Sequence, residues 1–380
     1  MNNDSGILEL RQLFPVTEHW TYLYNGGIHP CPRPVADAMR TFLAQWESGG
    51  RAGCSRAFDA FETLRERFAA LLHAHARNIV VTESTTAGIN LAAQILRPAP
   101  GANIVASDLE FMSDTYPWTV CHSAQVRFAQ SRCGKTEPRD LAALIDERTV
   151  ALIVSAVAAG SGFRSNLVDL REIAKRHGIP LIVDAAQALG LVNVDVDDVQ
   201  PAFLACTASK WLMGPAGVGF LYIADRYLGA TPPSVGWFAA ANRGDWDLEH
   251  CELYEDARRF QGGIPNLIGV VGALAGIALL EQIGRDFIER RVRQLTDYAI
   301  EGLEGIGVDI WTPRSPDERA GIVFFRTPND QRLFATLKAE RIVCGSFLAG
   351  IRIDPNFYNT FEEIDRFLRV VHTHVADTGH

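Results

Sequence analysis

Between residues 78 and 225, short apolar runs rich in β-branched residues alternate with stretches in which apolar positions recur every three or four residues. Segments 79–81, 103–105, 125–128, 151–154, 181–183 and 220–223 read as buried strands. The clearest helix starts at a capping residue, Asn166, and sets Leu167, Leu170, Ile173 and Ala174 on one face. It carries Lys175 and Arg176 near its end and stops at Gly178-Ile179-Pro180. Strand, helix and strand in repetition predict an α/β fold, a mostly parallel sheet covered on both faces. Beyond it lie an apolar helix at 267–280 and a charged amphipathic helix at 285–303. A strand at 322–325, a helix at 331–340, a strand near 351–353 and a last helix at 362–371 complete a smaller α+β unit. The expected division is a large domain over 16–283 and a small domain formed by 1–15 with 284–380.

Composition narrows the function classes. The 380 residues include 36 Lys+Arg against 45 Asp+Glu, a net charge of −9, so a nucleic-acid or anionic-membrane surface is not expected. Segment 267–280 is shorter than a membrane span and contains three glycines, which predicts a closely packed core helix. The first residues carry no basic region followed by an apolar stretch, so a cytoplasmic location is expected. The seven cysteines are scattered without a CxxC pair, which reads as reduced thiols with no metal site.

Several motifs fail on inspection. Gly134-Lys135-Thr136 lacks the earlier glycine of a phosphate-binding P-loop, because position 129 is Ala129. Gly214, Gly217 and Gly219 lead into a strand, unlike a dinucleotide fingerprint. No HExxH or GxSxG occurs. His73 and His75 fall on different faces of a helix end.

Three features remain. Ser84-Thr85-Thr86 lies where a strand gives way to a helix, so hydroxyls meet free backbone N–H groups; this suits a phosphate, or simple helix capping. Asp184 ends a buried strand, where it can be a cap, a metal ligand or the partner of a protonated ring nitrogen. Lys210 stands among small, apolar and glycine residues that can desolvate its ammonium and free the amine for Schiff-base chemistry. A phosphate cradle, an aspartate and a reactive lysine together are what pyridoxal 5′-phosphate requires.

On these motifs, residues 20–372 resemble the class V aminotransferase-like, fold type I pyridoxal-phosphate enzymes, which include cysteine desulfurases, cyst(e)ine lyases and isopenicillin N epimerase. The resemblance implies a large domain built on a mostly parallel seven-stranded sheet, plus a smaller α+β C-terminal domain. It implies that Lys210 holds the cofactor and moves the substrate's α-proton, and that Asp184 keeps the ring nitrogen protonated. Gln187 would contact the ring oxygen, Phe111 would stack on the ring, and Thr85, Thr86 and Thr207 would bind phosphate. The segment 258–266, with Gly263 and Ile264, resembles one that reaches the phosphate of a neighbouring subunit, which implies a homodimer. Arg352 resembles the family's fork for a substrate carboxylate. Asn25, Gly27 and His29 lie in a segment that reaches the substrate in relatives; His29 is a candidate extra acid or base, or a loop-packing residue.

Departures from the family pattern guide the choice of reaction. Ser209 replaces a histidine beside the lysine, Phe111 replaces the stacking histidine of desulfurases, and Ile264 replaces a phosphate-binding threonine. Ala156 stands where some members carry a polar residue, and Cys344, eight residues before Arg352, does not match a persulfide loop. The expectation is therefore a lyase performing β-elimination on a cysteine-like or S-substituted amino acid. An aminotransferase or epimerase is the alternative, and a non-enzymatic relative that binds a partner the remaining one.

Overall fold

Seven strands form the main sheet of the computed structural model, which describes residues 4–378. They are Ile79–Thr82 (β1), Asn103–Ser107 (β2), Gln125–Ala129 (β3), Thr149–Ser155 (β4), Leu181–Asp184 (β5), Phe203–Thr207 (β6) and Gly219–Ile223 (β7). Their order across the sheet is β1-β7-β6-β5-β4-β2-β3. β7 runs antiparallel to both neighbours, and the other pairs are parallel.

β6 was not among the strands read from apolar runs. Its Ala205 and Cys206 have little intrinsic strand preference. They become strand because both neighbours supply hydrogen-bonding edges, with Asp184 opposite Ala205 and Phe220 opposite Cys206.

Each face of the sheet is covered. On one side Leu152, Val183, Leu204 and Ile277 are buried, and the rings of Phe68 and Phe220 stack with centroids 3.9 Å apart. On the other side Ile89, Ile104, Ile153, Ile182 and Phe203 form a second apolar layer. Successive residues such as Ile153 and Val154 go to opposite faces, so strands buried on both sides lose the alternating pattern. The helix Leu167–His177 has the predicted ends: the Asn166 side chain accepts from Asp169 N–H, and Gly178 adopts φ 67°.

The apolar helix Leu267–Ile283 packs against the long helix Arg33–Leu71 and is part of the core. A Cβ at Gly276 would lie 2.6 Å from the Leu212 carbonyl oxygen, so glycine lets this helix approach the segment that carries Lys210.

The C-terminal part has a four-stranded antiparallel sheet, ordered Gly345–Phe347, Gly350–Ile353, Val323–Arg326, Asp309–Ile310. Leu295, Leu303, Phe325, Ile351 and Phe367 make its separate core. Thr21–Tyr22 pairs parallel with Ile342–Val343 in a separate two-stranded sheet, and Tyr24 bridges to Asp354, so residues 21–24 lie against the C-terminal part. The same arm then reaches the large domain, where His29 N–H donates to the Ser209 carbonyl at 2.9 Å. The arm thus ties both sheets together beside Lys210.

Candidate active site

The C-terminal ends of the parallel strands and the turn between β6 and β7 converge on one place, as ligand sites of open α/β sheets do. β1 leads into the helix Thr85–Leu96, whose first-turn N–H groups lack intrahelical acceptors. Ser84 caps this helix by accepting from Ala87 N–H at 3.1 Å. The Thr85 hydroxyl is buried without a partner, a donor aimed at nothing the protein itself supplies. Thr86 instead shares a 2.8 Å hydrogen bond with Ser113, and Thr207 one of 3.1 Å with Ser209. Gly219 makes room for this turn, because a Cβ there would fall 2.6 Å from the Ser84 backbone. An unpartnered hydroxyl at a positive helix end is the donor set an anionic phosphate needs.

Below this cradle lies a group of buried acids. Asp184 Oδ1 accepts from Ala186 N–H at 2.7 Å. On the neighbouring strand Ser155 pairs with Asp184 in register, and it donates its N–H and hydroxyl to Glu110 at 2.6 and 2.5 Å. Asp114, fully buried, accepts from Phe111 N–H, and its other oxygen has no donor. Burial raises all three carboxyls; Glu110 reaches about 8, and Asp114 is pushed well above the usual carboxylate range by burial and then by the Asp184 and Glu110 charges, which favours Asp114 keeping its proton while Asp184 is held down. Lys210 pulls Asp184 back down, so the single ammonium present favours ionisation of that carboxyl. Burial in turn lowers the Lys210 pKa, with Asp184 opposing it and the Arg352 charge adding to it. Lys210 Nζ lies 5.8 Å from the centre of the Phe111 ring, which is 44% exposed. Lys210, Asp184 and Phe111 therefore lie near one another.

Gln187 is more committed than expected. It donates to the Gly26 carbonyl at 2.8 Å and accepts from Trp211 Nε1 at 3.0 Å, leaving one amide N–H for a ligand. Arg352 is buried and donates to both oxygens of Asp354, at 2.6 and 2.8 Å, and to the Ala159 carbonyl at 2.9 Å. Asn25 is consumed by structure: it donates to the Asp354 carbonyl and accepts from the Tyr358 hydroxyl. Gly27 packs over the Tyr24 ring, which a Cβ would enter at 2.1 Å.

His29 does not join the group as an acid or base. One ring nitrogen lies 2.7 Å from the Pro30 carbonyl and the other 3.0 Å from the Asn356 amide, while Phe14 and Tyr358 pack edge-on around it. Burial lowers its pKa to about 4, so the ring is a neutral packing residue. Gly263 and Ile264 are exposed, Ile264 by 54%. Cys344 is buried in the small-domain core, where burial pushes its thiol up to about 12, unlike a reactive loop cysteine.

Sequence reading missed Glu110, Asp114, Trp211 and Asp354 as members of the site. Only Asp354 left a usable signal: it is two residues from Arg352, and alternate strand residues share a face.

The chain is similar along nearly its whole length to known proteins. The family model "Aminotransferase class-V" matches residues 21–367. A protein of Pyrococcus abyssi named a probable cysteine desulfurase is 29% identical, the match covering 96% of each chain. The apo structure of a cysteine desulfurase from Thermococcus onnurineus superposes with TM-score 0.88 at 27% identity, covering 99% of both chains. The fold is also that of the cystine C–S lyase C-DES in complex with cysteine persulfide, with TM-score 0.86 at 23% identity over 94% of this chain and 99% of that one. The chain belongs to the aminotransferase class-V family, as a pyridoxal-phosphate-dependent enzyme.

Proposed function

We propose that this enzyme cleaves the C–S bond of a cysteine-like or S-substituted amino acid by β-elimination. The observation that carries the reading is that Lys210, Asp184 and Arg352 lie close enough for their charges to act on one another, while Cys206, which adjoins Lys210 and Asp184, and Cys344 are both buried. The family, and relatives whose names include cysteine desulfurase, support chemistry at a C–S bond.

Pyridoxal phosphate, when bound, supplies an electron sink for charge that develops at the substrate's Cα. The Thr85 hydroxyl and the helix end behind it would hold the phosphate, Asp184 would accept from the ring nitrogen, and Phe111 would cover the ring. Arg352 holds the substrate carboxylate and so orients the Cα–H bond. Lys210, its pKa lowered by burial, takes the proton from Cα and returns one to the departing sulfur. Cysteine and water would yield pyruvate, ammonia and sulfide. A second copy of the chain completes the site in this reading: the exposed backbone at Gly263 and Ile264 would approach the partner's phosphate, and Trp46 and Trp237, each at least half exposed, belong to the contact surface.

A second reading, cysteine desulfurase, is favoured by the names of the relatives, and four other thiols, Cys31, Cys121, Cys133 and Cys251, are exposed. The two differ in products. Incubation with L-cysteine and an S-alkylcysteine, followed by assay of pyruvate, ammonia, sulfide, thiol, alanine and protein persulfide, separates them. β-Elimination gives pyruvate and ammonia in step with sulfide or thiol. Alanine with protein persulfide establishes the desulfurase, a keto acid that retains sulfur establishes an aminotransferase, and racemised substrate alone establishes an epimerase.

A further inference from the structure

The guanidinium assigned to the substrate carboxylate already holds a carboxylate of the protein. Arg352 offers five N–H donors. Nε and one N–H of Nη2 are taken by the two oxygens of Asp354, at 2.6 and 2.8 Å, and one N–H of Nη1 goes to the Ala159 carbonyl at 2.9 Å. One N–H on each terminal nitrogen is left. Asp354 is itself fixed, because Oδ2 also accepts from Gly26 N–H at 3.0 Å, and its side chain is completely buried. Gly26 is pressed against the pair: a Cβ there would fall 2.2 Å from Arg352 Nη2 and 2.6 Å from Gln187 Oε1. The fork, its counter-charge and the arm therefore form one locked unit.

Two consequences follow. The side-on edge of Arg352 is closed, so an incoming carboxylate must meet the two terminal N–H groups end-on. The pair also carries no net charge, so its pull on an anion is that of a dipole. Such attenuation matters most where water is excluded. Lys210 interacts with both partners, and Tyr22, Tyr24 and Cys344 also feel the Asp354 carboxylate.

We propose that Asp354 is a specificity-determining residue that limits Arg352 to a single end-on carboxylate and selects amino acids whose side chain carries no second negative charge. This rests on the reading of Arg352 as the carboxylate fork. The test is calorimetric titration of the cofactor-loaded protein with propionate and with succinate, independent of turnover. In the wild type, succinate binds within about threefold of propionate despite its second charge. Asp354→Asn removes the competing charge while keeping a similar shape, and both anions bind about tenfold more tightly or better, with succinate gaining more. A merely structural role for Asp354 would weaken binding instead. Unchanged or weaker anion binding by a folded Asp354→Asn protein overturns the inference. Should that variant not fold, the wild-type pair decides, since a succinate preference of about tenfold contradicts a neutralised fork. Arg352→Ala separates the two levels. Undiminished propionate binding there removes the fork reading and this inference with it, whereas loss of binding without a gain in Asp354→Asn removes the inference alone.

Discussion

Both ring nitrogens of His29 are engaged, and burial sets its pKa at about 4 against an ordinary 6.5. The unfolded chain therefore binds the extra proton first, and stability falls as pH drops from 6.5 towards 4. That difference corresponds to about 3 kcal/mol of stability lost across the window. His29→Gln, which can keep one of the two hydrogen bonds, should flatten this acid-side decline in urea-unfolding midpoints measured between pH 4 and 7; an unchanged decline would mean that other groups cause it. His29 also marks the limit of reading single residues. A histidine beside a family motif looks the same in sequence whether it faces a ligand or a phenylalanine, and only the packing of Phe14, Tyr358 and Asn356 decides. Asp184 and Lys210 were legible because strand ends and small-residue turns leave a local imprint. Asp114 and Glu110 acquire their character from Ser155 and Asp184, which are distant in sequence.

At the scale of elements, the helix Leu267–Ile283 positions the Lys210 segment through contacts that only glycine allows. Gly276 faces the Leu212 carbonyl at a distance where a methyl group has no room. Gly276→Ala should lower stability by about 1–3 kcal/mol, read as a fall in Tm, by forcing the helix away from that segment. A variant as stable as the wild type would show that this approach is unimportant. The helix was legible from its unbroken apolar run, and its glycines foretold close packing. β6 was not, since Phe203–Thr207 owes its strand conformation to hydrogen-bonding edges on both sides. The arm was legible as a separate segment, but its pairing of Thr21–Tyr22 with Ile342–Val343 spans more than 300 residues and leaves no local pattern.

For the whole molecule, the strand ends of the main sheet gather Asp184 and Lys210, a second sheet supplies Arg352, and the arm joins them. In the proposed reading, such a division would let the second sheet bring the carboxylate fork to a cofactor held at the first. Exposed Ile264, Trp46 and Trp237 fit a site finished by a second copy. Sedimentation of the loaded protein should give a dimer, and Ile264→Asp should weaken both dimerisation and cofactor affinity; a fully active monomer would refute that arrangement. The central claim is that Lys210 carries the cofactor. Borohydride reduction of the loaded protein followed by peptide mass mapping tests it directly. The expected result is a pyridoxyl-phosphate mass on the peptide containing Lys210 and none in Lys210→Ala, and attachment to another lysine, or no attachment at all, would contradict it.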